Sequence, residues 1–263
     1  MKGLYANLWR WRRLALDLAR REVRSRYAGS VLGALWAILE PAVQFGLYLT
    51  VFAYLLGTRI EGDPRVGAYA MYLVSGLVPF FAFQETLVRS ADFARASASL
   101  VKHVSVPLEV LFLGAFLATL ARHAVSLGIV GVAGFLAGTW VPAKLPWLLV
   151  GAVLLVVMSW GLALLLVLAV SVLPDLSHLV GSGTMVLFFL TPVLYPATLV
   201  PAPLARWLPA NPLVGALELF RSALIGGRVA PVAVGVTALV AAICLVGGSV
   251  VFSRQAMAVR DLV

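Results

Sequence analysis

Apolar residues dominate the chain in runs of 18 or more, separated by short polar stretches, and this pattern predicts a bundle of membrane-crossing helices. The first run covers about 31–56; it is interrupted by Glu40-Pro41 and carries Gln44. A turn-rich loop at 57–67 leads to a second run at 68–88. A polar stretch of small residues, 89–107, precedes the third run at 108–138, which holds Arg122-His123 near its middle. Further runs cover 145–173, 179–195 and 229–252. Residues 196–228 are apolar enough for a membrane but are broken by Pro196, Pro201, Pro203, Pro209 and Pro212. No unbroken piece there reaches the roughly 20 residues that a crossing needs. Two half-helices entering and leaving on one side fit that segment, provided protein covers their broken backbone.

The first 30 residues do not read as a secretory signal. Leu4, Leu8, Trp11, Ala15 and Leu18 recur at helical spacing, with Arg10, Arg13, Asp17, Arg20 and Arg24 opposite. That is an amphipathic helix in the headgroup plane, anchored by Trp9 and Trp11 and presenting Arg13, Arg20, Arg24 and Arg26 to anionic lipid. Asp17 stands four residues from both Arg13 and Arg21, a spacing that predicts local pairing. Glu22 falls on the apolar side and predicts a bend or an end there. Three segments result: a cytoplasmic interface helix at 1–30, a transmembrane domain at 31–252, and a cytoplasmic C-terminus at 253–263.

Composition agrees: 62% of the 263 residues are hydrophobic and 12% are charged, with a mean hydropathy of +1.01. A soluble domain would carry about 25% charge. The net charge of +9 would suggest nucleic acid in a soluble protein, but here the excess flanks apolar runs and orients them, so no nucleic-acid partner is expected. Thirteen of the Lys and Arg residues lie in the N-terminal arm, the 89–107 loop and the C-terminus. Six lie on the opposite side (Arg59, Arg65, Lys144, Arg206, Arg221 and Arg228). With six spans, both termini are cytoplasmic. The one cysteine, Cys244, cannot form an internal disulfide.

Catalytic motifs are missing. None of the three lysines sits in a phosphate-binding G-x-x-x-x-G-K-[ST] loop, and the three histidines lack metal-ligand spacing. The sequence therefore predicts no catalytic residue, no metal and no cofactor in this chain.

Several motifs are specific in their order. Arg26-Tyr27-Ala28-Gly29-Ser30-Val31-Leu32-Gly33-Ala34-Leu35-Trp36 is followed by Glu40-Pro41, then by Gly76-Leu77-Val78-Pro79-Phe80. After them come Leu100-Val101-Lys102-His103-Val104-Ser105-Val106-Pro107, Pro174-Asp175-Leu176-Ser177-His178, Thr191-Pro192-Val193-Leu194-Tyr195-Pro196, and Asn211-Pro212-Leu213 with Arg221. Together they resemble the ABC-2 type permeases, and within them the branch that exports O-antigen, teichoic acid or capsule. The chain departs from that branch at Phe80, where tryptophan is commoner, and at Pro174, which replaces an arginine.

The resemblance implies the transmembrane subunit of an exporter in the bacterial inner membrane. Two copies would form the pathway, and two copies of a separate P-loop ATPase, binding ATP and Mg, would drive it. The cargo would be a polyprenyl-linked glycan. Leu100, Val101, Lys102, His103, Val104, Ser105 and Pro107 would couple to the ATPase. Candidates for the pathway are Phe80, Phe81, Phe83, Arg122, His123, Phe188, Phe189 and Tyr195. Pro196, Trp207, Asn211, Pro212 and Arg221 would form the outer re-entrant gate. Arg122-His123 has two readings: a pathway or subunit-contact pair meeting a lipid-linked pyrophosphate, or a structural feature, either a buried ion pair with Glu85, Glu109 or Glu218 or a break in the third helix. Gly134 and Gly138 have G-x-x-x-G spacing, for which helix packing is the default. The other functions weighed are an ABC-2 exporter of drugs or small lipids, a membrane-embedded enzyme, and an ion-coupled carrier.

Overall fold

The computed structural model describes residues 2–60, 62–100 and 106–262, with side chains omitted at Lys2, 95–100 and 256–262. All regular structure among these residues is helical: α1 (Lys2–Arg10), α2 (Arg12–Arg26), α3 (Trp36–Leu49), α4 (Val66–Leu100), α5 (Leu108–Leu136), α6 (Leu145–Val172), α7 (Leu176–Leu190), α8 (Ala202–Ala205), α9 (Pro212–Ile225) and α10 (Pro231–Leu262). Among the described residues, five helical stretches are long and apolar enough to cross a membrane: Gly33–Leu55, Val66–Ala94, Leu108–Leu136, Pro142–Val172 and Pro231–Gln255.

The fifth predicted run, 179–195, differs. Its helix, α7, has 15 residues and at 1.5 Å per residue spans about 22 Å, short of the roughly 30 Å hydrocarbon core. Thr191 leaves the helix in an extended conformation, just before Pro192. The proline-rich stretch forms two isolated turns of 3-10 helix and the four-residue α8, and its one substantial half-helix is α9. α5 runs unbroken through Arg122-His123.

Glycines set the closest approaches. A side chain on Gly161 of α6 would collide with the backbone of Cys244 and Leu245 in α10, and one on Gly248 would collide with the backbone of Gly161. Gly215 of α9 lies equally close to Ala233, and Gly151 of α6 seats Leu219 and Phe220. Small residues allow such backbone contact between apolar helices, where lipid offers little hydrophobic drive. α4, α6, α9 and α10 thus form the packed centre, around Tyr69, Leu73, Leu77, Met158, Leu213 and Leu217. A second apolar cluster joins Phe112, Phe116, Trp160 and Phe252.

The N-terminal segment forms two helices, broken at Trp11. Its apolar face packs on the same chain: Leu4, Leu8 and Ala15 join the Phe112–Trp160 cluster, and Gly114 of α5 makes room for Leu18. Trp11 packs against that cluster, while Trp9 stays 70% exposed with the Arg12 guanidinium over its ring at 4.5 Å. The end expected at Glu22 does not occur, because Glu22 forms an ion pair with Arg89 of α4 and α2 continues to Arg26. Asp17 pairs with Arg20 at 3.2 Å, on the exposed face. The G-x-x-x-G pair is no helix crossing: Gly134 leaves space for the Trp140 ring, and Gly138, at φ +65°, stands just past the end of α5.

Candidate functional site

Two polar clusters interrupt the apolar bundle. The first lies where α2, α3, α4 and α5 meet. Glu85 of α4 takes both members of the α5 pair: Arg122 through one carboxylate oxygen, and His123 through the other at 2.7 Å. Consecutive helix residues ordinarily diverge by about 100°, so one carboxylate reaches both only by lying between their directions. Arg122 and His123 are largely buried, with side-chain exposures of 12% and 15%. Beside them Arg26, at the end of α2, meets Glu40 of α3 at 3.6 Å. Arg89, paired with Glu22, also reaches Thr119 of α5 at 3.4 Å. Of the three acids named for Arg122-His123, Glu85 is the partner; Glu109 instead accepts from the Asn7 amide at 2.9 Å, and Glu218 accepts from the Ala230 amide at 2.7 Å. A cavity of about 180 Å³ opens among Glu40, Gln44, Glu85, Arg122 and Ser126.

The second cluster secures the end of α7. Thr191–Pro196 follows the helix as irregular backbone, and each carbonyl from Pro192 to Tyr195 is matched to a donor. Arg221 of α9 donates to the carbonyls of Pro192 (2.8 Å) and Val193 (3.1 Å). Tyr69 of α4 donates to Leu194 (2.5 Å), and Tyr72 to Tyr195 (3.0 Å). The Arg221 guanidinium also lies 3.7 Å from the Tyr72 ring centroid. Gly76 makes this possible, since a Cβ there would stand 2.6 Å from the Arg221 Nη2. Asn211 closes the other end. Its carbonyl caps α9 through the Leu213 amide at 3.0 Å, and its amide donates to Thr191 Oγ1 at 2.9 Å.

Between this clamp and the 57–67 loop is an open cavity of about 1340 Å³, whose walls include Tyr72, Arg221, Glu218, Arg228 and the Asp63–Arg65 pair. That pair is bidentate, with contacts of 2.6 and 2.9 Å, and the hydrogen bonds from Arg65 hold the Asp63 carboxyl down at about 2.

The aromatic candidates divide. Phe80, Phe83 and Phe188 are buried within the chain, and Phe81 is partly buried. Phe188 touches Phe80, Phe81, Tyr48 and Phe189 at centroid distances of 4.9 to 6.0 Å. Phe189 is 55% exposed, and Tyr195 donates to its carbonyl at 2.6 Å. Trp207 is exposed beside Arg206. The expected coupling residues Val101, Lys102, His103, Val104 and Ser105 lie outside the described residues. Leu100 ends α4, and Pro107 immediately precedes α5. Tyr69, Tyr72 and Gly76 form no recognisable motif in the sequence, where the only sign is a glycine one turn from Tyr72 and two turns from Tyr69.

Comparison with known proteins places this architecture. The chain is 29% identical over 226 residues to an O-antigen export system permease protein, RfbA, of Myxococcus xanthus, which covers 84% of each chain. It is 29% identical over 215 residues to the polysialic acid transport protein KpsM of Escherichia coli, 80% of each chain. An RfbA permease of Klebsiella pneumoniae is 24% identical over 221 residues, 81% of each chain. The model of the ABC-2 type transporter family matches residues 15–225, from α2 through the end of α9. The chain belongs to the ABC-2 type transporter family.

Proposed function

We propose that this protein is the transmembrane subunit of an ATP-driven exporter that moves a polyprenyl-linked polysaccharide across the bacterial inner membrane. The observation that carries this reading is the likeness, over four-fifths of the chain or more, to permeases named for O-antigen export and polysialic acid transport. Hydrolysis belongs to a separate P-loop ATPase, present in two copies and holding ATP and Mg, consistent with a sequence that carries no phosphate-binding loop. The 100–107 segment is its coupling contact, and the lengths of the flanking helices support this. α4 has 35 residues, about 52 Å, so it outruns the bilayer core before reaching that segment.

Six spans with cytoplasmic termini remain the preferred topology. α7 and the extended Thr191–Pro196 together make the short fifth crossing, and α8 and α9 return on the outer side. α1 and α2 lie at the inner interface, with Arg13, Arg20 and Arg24 toward anionic headgroups. Two copies of the chain enclose the pathway. Supporting this, no residue of α3 is buried, and α7 buries only Thr184 and Phe188.

The deciding experiment depletes the protein and measures polyprenyl-linked glycans in the inner leaflet. Accumulation of a long polymer there, with its loss from the surface, is the expected result. An unchanged glycan pool in a strain without a second permease overturns the reading in favour of an exporter of drugs or small lipids. Charge reversal at Lys102 with disruption at Val104 is expected to uncouple the ATPase; normal assembly and export in that variant overturns the coupling role.

A further inference from the structure

The inner cavity has a charge balance that narrows its ligand. Four charged side chains and His123 line it: Arg26 faces Glu40 at 3.6 Å, and Arg122 and His123 both meet Glu85. The lining polar side chains that take part in neither a hydrogen bond nor an ion pair among the described residues are neutral. They are the Tyr27 hydroxyl, the Gln44 amide and the Ser126 hydroxyl. Phe45 and Phe81 complete the wall with apolar ring surface.

Unengaged polar groups beside a lipid-filled environment are expensive unless something polar reaches them. Between them, an amide and two hydroxyls can both donate and accept. An anion finds little here, because it would have to displace Glu85 from Arg122 and His123 while Glu40 repels it. The volume, about 180 Å³, equals roughly six waters at about 30 Å³ each. That is below the ~300 Å³ at which pockets for drug-sized ligands begin, and it suits a single small ring.

We infer that this cavity is a subsite for one uncharged sugar ring of the cargo, gripped by Tyr27, Gln44 and Ser126 against Phe45 and Phe81, and not a site for the pyrophosphate of the lipid carrier. This inference rests on the export reading above, which supplies a glycan. A pyranose matches the lining because its hydroxyls both donate and accept while its C–H face is apolar. The Glu85–Arg122–His123 cluster then serves as a neutralised wall, holding α4 and α5 at the spacing that leaves the cavity open.

The test uses the permease assembled with its ATPase in nanodiscs, in a Cys244→Ala background carrying Ser126→Cys. Maleimide labelling at position 126 is timed in the presence of a panel of methyl glycosides of neutral hexoses or of inorganic pyrophosphate. At least one glycoside is expected to slow labelling several-fold, with pyrophosphate without effect. Protection by pyrophosphate, or by no glycoside of the panel, overturns the subsite. Gln44→Cys, on the exposed side of the cavity, serves as the reporter if position 126 proves unreactive or the Ser126→Cys protein does not assemble.

In cells, Gln44→Leu combined with Ser126→Ala is expected to cut surface polysaccharide several-fold with assembly intact. Normal export in that variant, in a strain where depletion does abolish surface polysaccharide, overturns the subsite and leaves the export reading standing. Depletion without any change in glycans overturns the export reading itself, whatever the labelling shows.

Discussion

Gly76 shows how much one missing side chain can organise. The Arg221 guanidinium occupies the place a Cβ would take, and from there it reaches two carbonyls and the face of Tyr72. Irregular backbone buried among apolar helices must find its donors within the protein, and Arg221 serves two of the four carbonyls between Pro192 and Tyr195. Gly76→Ala should push the guanidinium aside and cost about 1–3 kcal/mol, the usual range for overpacking. The measurement is the melting temperature of the purified protein in nanodiscs, and an unchanged value would remove the clamp from the account. Arg221→Lys should fare almost as badly, since an ammonium lacks the flat fork that stacks and donates together.

Glu85 makes the same point through charge. Glu85→Gln leaves Arg122 and His123 facing each other without a carboxylate, and breaking a buried pair in this way costs about 3–5 kcal/mol. The triple variant Glu85→Gln, Arg122→Gln, His123→Asn removes the uncompensated charge and should recover most of that loss. If the triple variant is no more stable than the single one, the cluster is not a closed ion-pair unit. Arg122→Ala with His123→Ala separates structure from transport. If that double variant assembles and exports normally, neither side chain serves the pathway directly.

At the scale of the element, hydrophobic runs located the long helices well because length and apolarity suffice to define a crossing. They did less well at boundaries. α4 and α10 continue past the apolar window, to Leu100 and Leu262, because helix propagation does not require apolar residues once a helix is nucleated. α7 stops at Leu190, five residues before the predicted run ends at Tyr195, because Pro192 removes an amide and restrains Thr191. The amphipathic N-terminus was legible as a pattern, but a hydrophobic stripe does not say what will cover it. Here α5 does so through Leu18 at Gly114. The candidate site was legible as an oddity, charges in an apolar run, whereas the choice of Glu85 over Glu109 and Glu218 depended on how the helices pack. The α6–α10 crossing has its sequence signal in Cys244-x-x-x-Gly248 facing Gly161, a small-x-x-x-small spacing in which one of the small residues is not glycine. Gly161→Leu should therefore separate α6 from α10 and abolish assembly, whereas Gly181→Leu, on open α7 surface, should leave assembly unaffected; comparable yields of the two variants would show that the crossing does not depend on backbone contact.

For the whole molecule, the uneven burial of the helices has the larger consequence. α4 and α6 are well covered by their own chain, while α3 and α7 present apolar rows to the outside. On α3, Val43 and Leu47 are each more than 60% exposed, and their four-residue spacing puts them on one stripe. On α7, Leu179, Val186 and Leu190 do the same, each between 58% and 64% exposed. Lipid or a second copy can satisfy either stripe, and the two outcomes are separable. In a Cys244→Ala background, Leu47→Cys and Val186→Cys chains should cross-link under mild oxidation if these stripes meet across a dimer. Two chains per particle should then be counted by single-molecule bleaching in nanodiscs. Lipid-facing stripes would give neither cross-link, and a particle of one chain would leave the pathway to be formed within a single bundle. Its densely packed centre, around Tyr69, Leu77 and Met158, has no room for a polymer, so a one-chain particle would overturn the polysaccharide reading together with the dimer.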